Sequence, residues 1–152
     1  MSSRLDSCNA LLYGLHEKDL AKLQRVQNSA ARLVIKCNKR VHIKPVLREL
    51  HWLPVQQRIS YKIALLVFKA LHGMAPSYIT DLINEREPVK SLRSASHLCL
   101  TFPKITKTKS YGDRAFAIAA PTVWNNLPIK LRAIANHGAF KKGLKTHLFK
   151  SS

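Results

Sequence analysis

Apolar and polar residues alternate with helical spacing most clearly over residues 17–36, "EKDLAKLQRVQNSAARLVIK". At about 100° per residue, Leu20, Leu23, Val26, Ala30, Leu33 and Val34 fall on one side of a helix. Lys18, Lys22, Arg25, Arg32 and Lys36 gather in an arc of roughly 80° on the other. Glu17 and Asp19 in the first turn and Lys36 in the last complement the helix dipole. The pattern predicts an amphipathic helix with a basic face.

The second strong pattern is "HWLPVQQRISYKIALLVFKALHGMAP", residues 51–76. Pro54 suits the first helical position, where its missing N–H goes unused. Leu53 is biased away from helical angles by the proline that follows it. The helix predicted from Pro54 runs to Leu71, with Gly73 as its C′ residue. Ile59, Ile63, Ala64, Val67, Phe68 and Leu71 cover most of its circumference, which marks a buried helix. A narrow stripe of Arg58, Lys62 and Lys69 interrupts the apolar surface; such stems can lie on it with their heads in water or on phosphate.

Weaker signals fill in the rest. Residues 5–13, "LDSCNALLY", predict a short helix stopped at Gly14. Pro45 fits the first turn of a helix ending near Leu50, and Pro76 starts "PSYITDLI". Residues 85–96 are polar, hold Pro88 and read as loop. "HLCLTF" (97–102) and "TKTKSY" (106–111) predict a hairpin around Pro103. "GDRAFAIAAPTVWNNLP" (112–128) is helical in pattern, with Asp113 near its start and Pro121 expected to break or kink it. In "FKKGLKTHLF" (140–149), Phe140, Leu144, His147 and Leu148 share a face. The expected fold is mainly α: a small helical domain with a short β-hairpin around residues 97–111. It comprises a helical part over 5–84, the loop and hairpin over 85–111 and a C-terminal helical part over 112–150.

Composition adds a core and a charge. Of 152 residues, 46% are hydrophobic, too many for a disordered polycation. The formal net charge is +18. Residues 1–87 carry 14 basic against 7 acidic residues; residues 88–152 carry 12 basic against Asp113 alone. A surface of that sign attracts polyanions, of which nucleic acid is the commonest inside cells. No apolar run approaches the roughly 18–20 residues that span a bilayer, and "MSSRLD" lacks a signal-peptide core. Three widely spaced cysteines, Cys8, Cys37 and Cys99, argue against a disulfide framework. An intracellular protein without a membrane partner is expected.

Chemistry-bearing motifs are scarce. Cys37-x4-His42 has half the spacing of a zinc knuckle but no Cys-x2-Cys pair to complete it. The eight carboxylates approach one another only at Glu17/Asp19 and Glu85/Glu87, which does not supply a metal-dependent phosphoryl-transfer centre. No Gly-rich phosphate loop or Gly-x-Ser-x-Gly elbow occurs. No cofactor, metal or small-molecule substrate is implied. His51 and Trp52 precede a helix start where phosphate could bind, and Trp52 could stack on a base; an interhelical anchor is the stronger reading. Tyr111 and Arg114, beside Gly112, invite the same two readings.

Taken together, "LDSCNALLYGL", "LQRVQNSAARLV", "HIKPVLRELHWLPVQQRISYKIALLVFKALHGMAPSYI", "LRSAS", "YGDRAFAIAAPTVWNNLP" and "FKKGLKTHLF" resemble the C-terminal end of the reverse transcriptase polyprotein of non-LTR (LINE-type) retrotransposons. The blocks match in order and spacing along nearly the whole chain. The resemblance implies a piece of an RNA-directed DNA polymerase lying after its fingers, palm and thumb. In that family the polymerase copies element RNA at a nicked genomic target. The palm's paired metal-binding aspartates and the endonuclease have no positions here, so no catalytic residue carries over and the chain is not expected to be an enzyme on its own. A nuclear or cytoplasmic ribonucleoprotein setting is likewise what the resemblance implies.

The expected role is therefore sequence-tolerant contact with RNA or DNA phosphates during target-primed reverse transcription. Lys18, Lys22, Arg25, Arg32 and Lys36 form one candidate strip; Lys104, Lys107, Lys109 and Arg114 form a second. Two alternatives stand beside it: a scaffold docking on the polymerase core of a related element, and a decayed transposon fragment without a function of its own.

Overall fold

The computed structural model describes residues 8–85, 99–103 and 115–151. A 3-10 turn at Asn9–Leu12 precedes α1 (Glu17–Ile35), α2 (Ile43–Glu49), α3 (Val55–Leu71) and α4 (Ser77–Thr80). Strands β1 (Asn84–Glu85) and β2 (Leu100–Thr101) follow, then α5 (Phe116–Asn125), α6 (Ile129–Arg132) and α7 (His137–Lys150). Among the described residues the fold is mainly helical with a small antiparallel strand pair, as the patterning predicts. The chain forms two compact units, Met1–Tyr61 with Lys145–Ser152, and Lys62–Leu144.

Three helices end on left-handed residues. Met74 N–H bonds to Lys69 O at 2.7 Å across Gly73, whose φ is +67°. The same six-to-one closure joins Cys37 N–H to Arg32 O across Lys36, and Trp52 N–H to Leu47 O across His51. Lys36 and His51 take φ of 56° and 54°, where a side chain costs about 1–2 kcal/mol relative to glycine. "HWLP" is thus the exit of α2 joined directly to the start of α3.

In the first unit, Ala31, Val46 and Leu47 form a buried cluster against Ile35, Cys37, Ile43, Leu50 and Trp52. Trp52 is half-buried there, with the Arg58 guanidinium carbon 6.0 Å from its ring centre. The anchor reading holds for this tryptophan. Its neighbour Arg58 departs from expectation: its head turns inward, 9% exposed, and Nε donates to Leu53 O at 2.9 Å. Lys62 is exposed and Lys69 half-buried.

The buried face of α1 also differs from the predicted one. Val26, Leu33 and Val34 are 54%, 77% and 58% exposed, while Gln27 and Ala31 are fully buried. The reason is hydrogen bonding. The Leu53-Pro54 connection leaves the Leu53 carbonyl and the Val55 N–H without helical partners. Gln27 Nε2 donates to Leu53 O at 2.8 Å, and Gln24 Oε1 accepts from Val55 N at 2.8 Å. Gln24 Nε2 in turn donates to Gln27 Oε1 (3.0 Å) and Asn28 Oδ1 (2.7 Å). Satisfying these buried groups rotates two glutamines inward and leaves aliphatic residues in solvent.

The second unit is built on aromatic stacking. Phe68 lies between His72, at 4.0 Å, and Phe140, at 4.4 Å, and Trp124 tilts against Phe140 at 5.8 Å. Phe140 and Leu144 of the predicted α7 face are buried in this unit, and Leu148 of that face, which belongs to the first unit, is buried as well. The helix α5 continues through Pro121 rather than breaking. One lost backbone bond costs about 3 kcal/mol; burial of Ala119, Ala120, Pro121, Val123 and Trp124 around it offsets that.

Strand β2 falls within the predicted 97–102 segment, but its partner is β1, upstream of the polar stretch: Asn84 pairs with Thr101 and Glu85 with Leu100. The expected return strand at 106–111 lies outside the described residues. Asn125 fixes β2 from the other side, donating to Leu100 O and accepting from Leu100 N, both at 2.9 Å. Among the described residues no helix is long and apolar enough to cross a membrane.

Candidate nucleic-acid interface

The helix α1 is continuous over Glu17–Ile35, so the roughly 80° arc of basic positions is a physical strip. Lys18, Lys22, Arg25 and Lys36 are exposed. Arg32 is half-buried and reaches across to the following loop, Nη2 lying 3.4 Å from Val41 O. Lys22 is engaged as well, its Nζ 2.9 Å from Asp19 Oδ1. The Lys22 hydrogen bond, and then its charge, hold the Asp19 carboxyl below its ordinary range. Lys18, Arg25 and Lys36 are thus the strip residues that present their charge most directly.

The structure extends the strip. Lys36 closes α1 in the left-handed conformation, which turns the chain into the loop bearing Lys39 and Arg40, both exposed. A helical period ends with α1 and so does not reach these two residues. The run "KCNKR" carried the signal. Between Leu20 and Thr80 the sequence holds one carboxylate, Glu49, against 11 lysines and arginines, so little acidic charge dilutes this surface.

The second candidate patch, Lys104, Lys107, Lys109 and Arg114, lies outside the described residues, as do Tyr111 and Gly112. His51 is exposed at the α2 terminus. Trp52 packs on the Ala31–Val46–Leu47 cluster instead of standing as a stacking platform. Among the described residues no three histidine, cysteine or carboxylate side chains gather closely enough to hold a metal ion. The cysteines form no disulfide, Cys8 being exposed and Cys37 and Cys99 half-buried; Arg132 Nη1 lies 3.0 Å from Cys99 Sγ.

Compared with protein-family models, curated proteins and solved structures, the chain matches none of them.

Proposed function

We propose that the chain is a non-catalytic C-terminal segment of a LINE-type retrotransposon reverse transcriptase, and that it binds RNA or DNA through the phosphate backbone during target-primed reverse transcription. The observation that supports this reading most is the one-sided basic surface of α1 and the loop after it: Lys18, Arg25, Lys36, Lys39 and Arg40 all exposed. The block resemblance supplies the setting. Backbone contact of this kind positions a nucleic acid without reading its sequence.

The test is binding of the purified chain to a labelled single-stranded RNA and to a duplex DNA, each titrated with salt. Affinity should fall steeply between roughly 50 and 200 mM salt, since each neutralised phosphate releases counterions. Reversing Lys22 and Arg25 to glutamate should weaken binding to every sequence and flatten the slope. Weak binding with a shallow slope, from a chain shown to be folded, would defeat the proposal.

A second reading has one observation in its favour. Val26 and Leu33 stand exposed on α1 beside the basic strip, and Val34 further round the helix, leaving aliphatic surface that a segment docking on a polymerase core would require. Its signature is rescue of solubility by co-expression with an upstream thumb region.

A further inference from the structure

At the C-terminal end of α1, a cavity of about 610 Å³ is lined by Ser29, Arg32, Leu33, Lys36, Cys37 and Lys39. Three of the six residues are cations and none is a carboxylate. We propose that this cavity seats one nucleotide unit of a single-stranded RNA or DNA. Its phosphodiester lies against Arg32, Lys36 and Lys39, with the Ser29 hydroxyl as a further donor. The unpaired nucleoside covers Leu33 and Cys37. The inference rests on the nucleic-acid reading and gives it a definite contact.

Charge and shape select that occupant. The guanidinium of Arg32 is held from below by Val41 O, and its Nε is shielded from solvent without a hydrogen-bond partner. The guanidinium keeps its full positive charge there and attracts a phosphate. Lys36 occupies the left-handed cap position, where glycine would be unstrained. Its backbone is fixed there by the bonds from Lys36 N to Leu33 O (3.3 Å) and from Cys37 N to Arg32 O (3.1 Å). Those same bonds occupy carbonyls that would otherwise repel an anion. The residual negative end of the helix, about half a charge, is outweighed by three cations.

The cavity lies in the range of about 300–1,000 Å³ that holds small organic molecules, far more space than a phosphate group fills. Its apolar side, Leu33 at 77% exposure beside the Cys37 thiol, gains by being covered. A paired base, stacked within a duplex, offers that side no face; an unpaired one does. A second copy of the chain is disfavoured as occupant, because two chains of +18 repel.

Cys37 reports occupancy directly, with exposed Cys8 as the internal reference. The full-length chain is alkylated with a maleimide in the presence of oligo(dT), of a duplex of equal length, or of inorganic phosphate. At a tenfold excess of oligo(dT) over its Kd, labelling of Cys37 should slow about tenfold while Cys8 is unchanged. Duplex and inorganic phosphate at equal concentration should protect far less. Lys39→Gln should weaken oligo(dT) binding about tenfold, and more than Lys18→Gln, which removes a strip charge distant in sequence from the cavity. Oligo(dT) that binds but leaves Cys37 at its free rate would overturn the cavity assignment and leave the basic strip standing. Equal protection by inorganic phosphate would make this a free-anion site. No binding by any nucleic acid would overturn both readings together.

Discussion

Gln27 donates its carboxamide proton to the Leu53 carbonyl at 2.8 Å while being wholly buried. Arg58 Nε donates to the same oxygen at 2.9 Å. One backbone oxygen, placed just before Pro54, therefore ties α1 and the first turns of α3 together. This explains why a helix with abundant leucine and valine turns glutamine inward.

Replacing Gln27 with leucine should destabilise the protein by about 1–3 kcal/mol, although leucine is the more apolar residue. The change removes a buried donor from Leu53 O and leaves a Gln24 amide proton without its Gln27 acceptor. Urea unfolding, compared with Val26→Leu on the exposed side of the same helix, measures the effect. A loss no larger than that of Val26→Leu would contradict the tie.

The left-handed caps give opposite outcomes. Gly73→Ala meets no atom within 4 Å of the added Cβ, so its cost is backbone strain alone, about 1 kcal/mol. His51→Gly relieves the same strain at φ 54° and should raise stability by about 0.5 kcal/mol, after the greater unfolded-state freedom of glycine is deducted. Thermal unfolding of both variants checks the sign.

Asp19→Asn should tighten nucleic-acid binding and steepen its salt dependence by about one unit, because it frees Lys22 to contact phosphate. Arg25→Gln should weaken binding more than Lys22→Gln, since Lys22 is already engaged. Salt-titrated fluorescence anisotropy on the three variants establishes the order.

Burial pushes the Tyr61 phenol above its ordinary value. Burial favours the neutral form, so its contribution to stability is complete below the unfolded value near about 10 and is lost as pH rises through the folded one. An ultraviolet titration of the native protein should show a late-ionising phenol that disappears in Tyr61→Phe. That variant should also lose less stability than the parent on moving into this alkaline range.

Much of the fold is legible in the sequence. The helices α1 and α3 were placed almost to the residue by period, proline and glycine, because those signals act within a turn or two of their own position. At Pro121 the local rule allows a break or a kink; α5 is continuous there, because burial offsets one missing hydrogen bond. Local rules do not reach the partner of β2, Asn84–Glu85, which lies across a long polar stretch rather than beyond a tight turn. The candidate strip was legible as a set of charges. Its working condition was not: Lys22 is paired, Arg32 is partly spent on Val41 O, and Lys39 and Arg40 join from the loop.

The sequence by itself determined a mainly helical chain with a strongly positive surface, since helical period, capping and net charge are sums over neighbouring residues. Only the tertiary structure decided which face of α1 is buried, which strand pairs with β2 and which cations surround one cavity. Each of those depends on hydrogen bonds and contacts between residues that the chain brings together from a distance. Gln27 with Leu53 and Asn125 with Leu100, 26 and 25 positions apart, are invisible to any window as short as a helix turn.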